Sequence, residues 1–199
     1  VFRVLLISED GRGVAEALRA LPRGAAAVQL RAPGLEAGAL LVRARALRPV
    51  CAELGAPLLI NDRADVALAC GADGVHLPGR GLAAADVRAL FARRDRPVWI
   101  GRSCHSEAEV AQAAREGADY ALFSPVWEVP GKGPSQGLAA LSRAARAAKL
   151  PVLALGGVTP ENAASALRAG ASGVACLRAV LRASDPAAAA RALWQAVSA

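Results

Sequence analysis

One local pattern occurs four times along the chain: a glycine-alanine pair that ends a helix, followed at once by an apolar, strand-like run. The copies are Gly24-Ala25-Ala26-Ala27-Val28-Gln29-Leu30, Gly71-Ala72-Asp73-Gly74-Val75-His76-Leu77, Gly117-Ala118-Asp119-Tyr120-Ala121-Leu122-Phe123 and Gly170-Ala171-Ser172-Gly173-Val174-Ala175-Cys176. Their starts lie 47, 46 and 53 residues apart. A period of that length holds two strand-helix units, so four copies imply an α/β chain with eight strands and eight helices closed into a parallel barrel. In such a barrel the chemistry sits at the C-terminal ends of the strands, so the polar residues just after each apolar run are the candidates.

No linker or shift of composition divides the 199 residues, and a single domain over 1–199 is expected. Apolar runs are strand-sized, well short of a membrane span, and Val1 to Ile7 reads as a first strand rather than a secretory signal. A soluble, cytoplasmic protein with no membrane partner is the expectation. The formal charge is +7, carried by 22 arginines and only two lysines, Lys132 and Lys149. Without a long basic run, zinc spacing or many aromatics, nucleic acid is not the expected partner. Solvated helix faces account for most of the charge, and a modest positive field assists capture of a phosphorylated substrate. The four cysteines, Cys51, Cys70, Cys104 and Cys176, form no CxxC pair, so reduced and mostly buried thiols are expected.

The strands read from the pattern are Phe2 to Ile7, Ala27 to Arg31, Pro57 to Asn61, Gly74 to Leu77, Val98 to Gly101, Tyr120 to Phe123, Val152 to Leu155 and Gly173 to Leu177. Ser106-Glu107-Ala108-Glu109 is a capping box, and Thr159-Pro160-Glu161 places a cap before a proline at the first helical position. Both marks follow a strand end.

Gly156-Gly157-Val158-Thr159 follows the seventh strand and opens a helix, which leaves backbone N–H groups for an anion. A phosphate is the expected guest, with a plain tight turn as the alternative. Arg178, past the eighth strand, either joins that phosphate or faces solvent. Asp62 in Asn61-Asp62-Arg63 either binds Mg2+ or caps the next helix. Gln29 and Arg31 alternate with Leu30 and point to one side, where they can clamp an anion and an amide-like edge. The long loop from Ser124 to Gly137 reads as a lid with Lys132 reaching from it to a phosphate, or standing in solvent. His105 sits between a strand end and a capped helix. An imidazole, with its unperturbed pKa of about 6.5, suits proton transfer there. His76 reads as a packed, hydrogen-bonded residue, and Cys104 as a poor nucleophile.

Taken together, Val28-Gln29-Leu30-Arg31, Ile60-Asn61-Asp62-Arg63, Gly74-Val75-His76-Leu77, Gly101-Arg102-Ser103, Ala118-Asp119-Tyr120, Ala154-Leu155-Gly156-Gly157-Val158 and Gly173-Val174-Ala175 resemble the thiamine phosphate synthase and thiazole tautomerase (TenI-like) superfamily. The resemblance implies a TIM barrel in thiamine biosynthesis that acts on a thiazole phosphate, usually as a homo-oligomer. In the synthases a pyrimidine diphosphate is held by Gln-x-Arg-x-Lys, an Asn-Asp pair with Mg2+ and a second aspartate after the fourth strand. Here Gln29, Arg31, Asn61 and Asp62 are kept, while Pro33 and Gly81 stand at the lysine and second aspartate positions. Of the synthase lid element only Lys132 remains, and Arg178 replaces a serine near the phosphate. Gly101-Arg102-Ser103-Cys104-His105-Ser106 is similar to the tautomerase motif, whose histidine is the proposed proton shuttle. The expectation is therefore a thiazole tautomerase without cofactor, with His105 as acid/base and with Gln29, Arg31, Asn61, Ser103, Lys132, Gly156, Gly157 and Arg178 as substrate contacts. The alternatives are a divergent synthase with Mg2+ on Asp62, or a catalytically silent phosphate binder.

Overall fold

The computed structural model describes residues 2–198. The expected strand start at Val1 therefore falls outside the described residues. The chain alternates β1 (Val4–Ser8), α1 (Val14–Arg19), β2 (Ala26–Leu30), α2 (Ala37–Glu53), β3 (Leu58–Asn61), α3 (Ala64–Cys70), β4 (Gly74–Leu77), α4 (Ala84–Leu90), β5 (Trp99–Cys104), α5 (Glu107–Arg115), β6 (Tyr120–Phe123), α6 (Gly137–Ala147), β7 (Val152–Ala154), α7 (Pro160–Arg168), β8 (Gly173–Cys176), α8 (Arg178–Leu181) and α9 (Pro186–Ser198). The strands close into one parallel barrel in sequence order, with β8 paired to β1. No helix among the described residues is long and apolar enough to cross a membrane.

Strands covered on both faces read as nearly continuous apolar runs, which is what the repeats show. Alternate residues divide into two cores. Leu5, Ile7, Ala27, Leu59, Tyr120, Leu122, Leu153 and Ala175 fill the lumen with Phe2, while Leu6, Val28, Leu30, Ile60 and Val75 pack outward under the helices.

The repeats have a physical basis beyond their apolar run. Gly71 ends α3 in a left-handed conformation, φ 67°, which glycine adopts without strain. In the second and third copies the next polar residue closes the preceding strand: Asp73 Oδ2 accepts from Leu58 N at 2.8 Å and Asp119 Oδ2 from Ile100 N at 2.7 Å. Asp73 also pairs with Arg48 and Arg96, whereas Asp119 pairs with Arg88 alone. Asp73→Ala is expected to cost about 2–3 kcal/mol by leaving a strand N–H and two guanidinium groups short of an acceptor. Urea unfolding checks this, with a smaller loss for Asp119→Ala.

Many arginines do something other than face water. Arg3 donates to Val197 O, Arg23 to Glu53 O, Arg48 to Gly71 O, Arg88 to Gly117 O and Arg94 to Ala72 O. Most of these carbonyls belong to helix ends, which have no partner within the helix. The surplus of guanidinium over ammonium thus reflects carbonyl binding as well as solvation.

Two local expectations need correction. β5 runs to Cys104, three residues beyond the expected strand end, so Ser103 and Cys104 belong to a strand and not a loop. The capping box at α5 is half formed as expected, Ser106 Oγ accepting from Glu109 N at 3.2 Å. The return arm reaches one residue further back, Glu109 Oε2 accepting from His105 N at 2.7 Å.

Candidate active site

The last inward positions of the strands converge on the C-terminal mouth of the barrel. Following the alternation from Ala27, Leu59 and Gly101, these positions bring Gln29, Asn61 and Ser103 into the mouth beside His76. Gln29, 1% exposed, donates from Nε2 to Asn61 Oδ1 at 2.9 Å. Its Oε1 is buried without a partner, so an acceptor is left for an incoming donor.

Asp62 is the only non-glycine residue with positive φ among the described residues, at 64°. Its N–H donates to His76 O at 2.8 Å across β3 and β4. The helix after it starts at Arg63 without a side-chain cap, so the capping alternative for Asp62 is not realised. Arg63 engages Asp65 instead, and the exposed Asp62 carboxylate has no hydrogen bond or ion pair among the described residues. A cavity of about 200 Å³ lies beside it, lined in part by Ala32, Pro33, Asn61 and Arg63. A second cavity of about 370 Å³ opens between the loops after β1 and β8, where Glu9 pairs with Arg182 and Asp10 with Arg12.

His76 is packed and hydrogen-bonded as expected, Nδ1 lying 3.0 Å from Tyr120 Oη and Nε2 2.9 Å from Ser103 Oγ. Burial, together with the charges of Arg31 and Arg102, pushes its pKa down to about 3, so the ring is neutral. Gly101 makes this contact possible. A Cβ there would stand 2.1 Å from Tyr120 Cζ, so only glycine lets the phenol cross β5 towards β4. Arg102 points outward and donates to Gly79 O and Leu82 O, which ties down the loop after β4.

His105 is exposed at the end of β5, with Nδ1 2.7 Å from Ser124 O. A carbonyl only accepts, so Nδ1 carries a proton, and in the neutral ring the lone pair is on Nε2. Cys104 faces the outer core and burial pushes its thiol up to about 12, which excludes it as a nucleophile.

The Gly156-Gly157 turn serves two purposes. Both residues have positive φ, 91° and 71°. A Cβ on Gly156 would meet Pro125 Cα at 2.7 Å, and one on Gly157 would meet Trp127 Cβ at 2.6 Å. The glycines therefore seat the base of the Ser124 to Gly137 loop, which also donates from Val126 N to Leu155 O and from Trp127 N to Gly156 O. The N–H groups of Gly156, Gly157 and Val158 have no partner among the described residues, so they are open to an acceptor. Lys132 lies on the exposed loop tip. Its side chain and those of Arg31 and Arg178 are exposed and make no hydrogen bond or ion pair among the described residues. The Gln29 amide nitrogen turns to Asn61, while its Oε1 and the Arg31 side chain carry no partner among the described residues.

Sequence reasoning gave Tyr120 no role at the site, and Glu109 only that of a capping-box residue. The signal for Tyr120 was present: it is the chain's one tyrosine, in an otherwise apolar strand, directly opposite a glycine of β5.

The family model described as thiamine monophosphate synthase (TMP-TENI) matches residues 4–180. A thiamine-phosphate synthase of Roseiflexus castenholzii is 46% identical over 178 residues, which cover 87% of this chain and 76% of that one. Another of Chlorobium luteolum is 41% identical over 192 residues, 95% of this chain and 89% of the relative. Among solved structures, a thiamine phosphate pyrophosphorylase from Pyrococcus furiosus is 29% identical with a TM-score of 0.88, covering 98% of this chain and 95% of that one. These relatives carry the synthase name, which backs the synthase alternative better than the tautomerase preference. The chain belongs to the thiamine monophosphate synthase family.

Proposed function

We propose that the chain is a thiamine-phosphate synthase that joins a pyrimidine diphosphate to a thiazole phosphate and releases pyrophosphate. The observation that carries this reading is Asp62: a carboxylate held in left-handed backbone at the barrel mouth, unpaired, and beside a cavity. Residues kept in such conformations concentrate at functional sites.

Mg2+ keeps several waters and shares phosphate oxygens with its substrate, so it needs few protein ligands. No group of three or more His, Cys, Asp or Glu residues among the described residues could hold a metal. One free carboxylate meets the smaller requirement, and Asp62 would hold the ion together with the diphosphate. The ion supplies positive charge to the departing diphosphate.

The chain's own groups do the rest. Arg31, exposed at the end of β2, adds charge where the sequence has Pro33 in place of a lysine. Gln29 Oε1 accepts from an amino group on the pyrimidine, since a buried acceptor left empty is costly. The free N–H groups of Gly156, Gly157 and Val158 take the thiazole phosphate, with Lys132 reaching it from the loop tip. The C–O bond to the diphosphate breaks, its electron pair leaves with pyrophosphate, and the thiazole nitrogen forms the new C–N bond. With both partners held in one mouth, the reaction is positioned rather than left to collision.

A second reading, proton transfer on a carboxythiazole phosphate, rests on the bare Nε2 of His105 at the rim. Purified protein given both phosphates and Mg2+ decides between them. Pyrophosphate release that depends on both substrates is expected. Turnover of the carboxythiazole alone, without pyrophosphate from the pair, would overturn the synthase reading.

A further inference from the structure

The barrel lumen contains one polar chain that the coupling reaction as described does not use: Tyr120, His76 and Ser103. We propose that Tyr120 and His76 are positioning residues, a one-way hydrogen-bond relay that fixes the Ser103 hydroxyl as a donor to an acceptor atom on the ligand.

The direction follows from counting protons. Tyr120 is fully buried, with Phe2 edge-on at 5.3 Å between ring centroids, and His76 Nδ1 is the hydrogen-bond partner of its hydroxyl. A phenol O–H left without an acceptor in that setting is costly, so Tyr120 donates and Nδ1 is bare. A neutral imidazole then carries its one proton on Nε2, which donates to Ser103 Oγ at 2.9 Å. One lone pair of Ser103 Oγ is thereby engaged from below. Its own proton has no acceptor among the described residues and points to whatever enters the mouth.

The arrangement is built rather than incidental. Register places His76 opposite Gly101 and Gly101 opposite Tyr120, and the missing side chain at Gly101 is what lets the two rings meet. The ligand class follows from the polarity: the Ser103 proton requires an acceptor, a ring nitrogen or a diphosphate oxygen. The identity of the ligand rests on the synthase reading, but the polarity of the relay does not.

Two experiments test it. The chain has only two histidines, so ¹⁵N NMR of histidine-labelled, ligand-free protein resolves both rings. His76 is expected as the Nε2–H tautomer and His105 as the Nδ1–H tautomer. Tyr120→Phe is expected to relax His76 towards a mixture, while Ser103→Ala leaves its tautomer unchanged. A wild-type His76 protonated on Nδ1 would overturn the proposal. In the coupling assay Tyr120→Phe is expected to lower kcat/KM about tenfold, and to have no further effect in a Ser103→Ala background. An equal loss in both backgrounds would mean that Tyr120 acts through packing alone, and the relay would be wrong. If the wild type couples nothing, the synthase reading fails while the tautomer pattern still decides the relay.

Discussion

Replacing Asp62 by glycine is expected to make the protein more stable and nearly inactive. Glycine occupies φ 64° without the steric cost that an L side chain bears, so the change should add about 1 kcal/mol to unfolding, a rise in Tm of about 2–4 °C. Removing the Asp62 carboxylate should lower kcat for pyrophosphate release by about 10²- to 10³-fold. Thermal unfolding and a pyrophosphate-release assay measure the two effects separately. A carboxylate that merely capped a helix would give the reverse: a loss of stability with activity kept.

Gly156→Ala should produce the largest loss of stability. The new Cβ meets main-chain Pro125 Cα at 2.7 Å, which no side-chain rotation relieves, and φ is 91°. Overpacking and backbone strain together are expected to cost about 3 kcal/mol. The base of the Ser124 to Gly137 loop should shift with it, raising KM for the thiazole phosphate. Gly24→Ala is the control, because its φ is 78° but nothing lies within 4 Å of the new Cβ. Strain alone applies there, about 1 kcal/mol. Equal losses at the two positions would show that packing of the loop against β7 contributes nothing.

Much of the architecture was legible because it is local and periodic. The glycine-alanine copies mark β2, β4, β6 and β8 directly, and Thr159-Pro160 marks the start of α7. The end of β5 was not legible, since Arg102, Ser103 and Cys104 interrupt the apolar run while still pairing with β4 and β6. The sequence leaves Asp62 open between metal ligand and helix cap, because an aspartate before a helix suits either role. Its left-handed backbone, closed by a bond to a strand-four carbonyl, is invisible to local pattern. The site network is more distant still: His76 meets Tyr120 across 44 residues and Ser103 across 27. The preference for the tautomerase rests on Pro33, Gly81 and the His105 motif, and the first two positions say which charges are missing, not which chemistry remains. Gly81 N donates to Pro78 O in a tight turn, and a Cβ there would press on the Pro78 ring at 3.0 Å. An aspartate at that position would require the ring to move by a few tenths of an ångström.

The use of guanidinium groups to clasp carbonyls leaves the protein almost free of side-chain amines: one on the exposed tip of the loop after β6, Lys132, and one just beyond α6, Lys149. An acylating reagent therefore has two lysine targets, and their labelling ratio in solution reports whether that tip is shielded, with the second lysine as its internal reference.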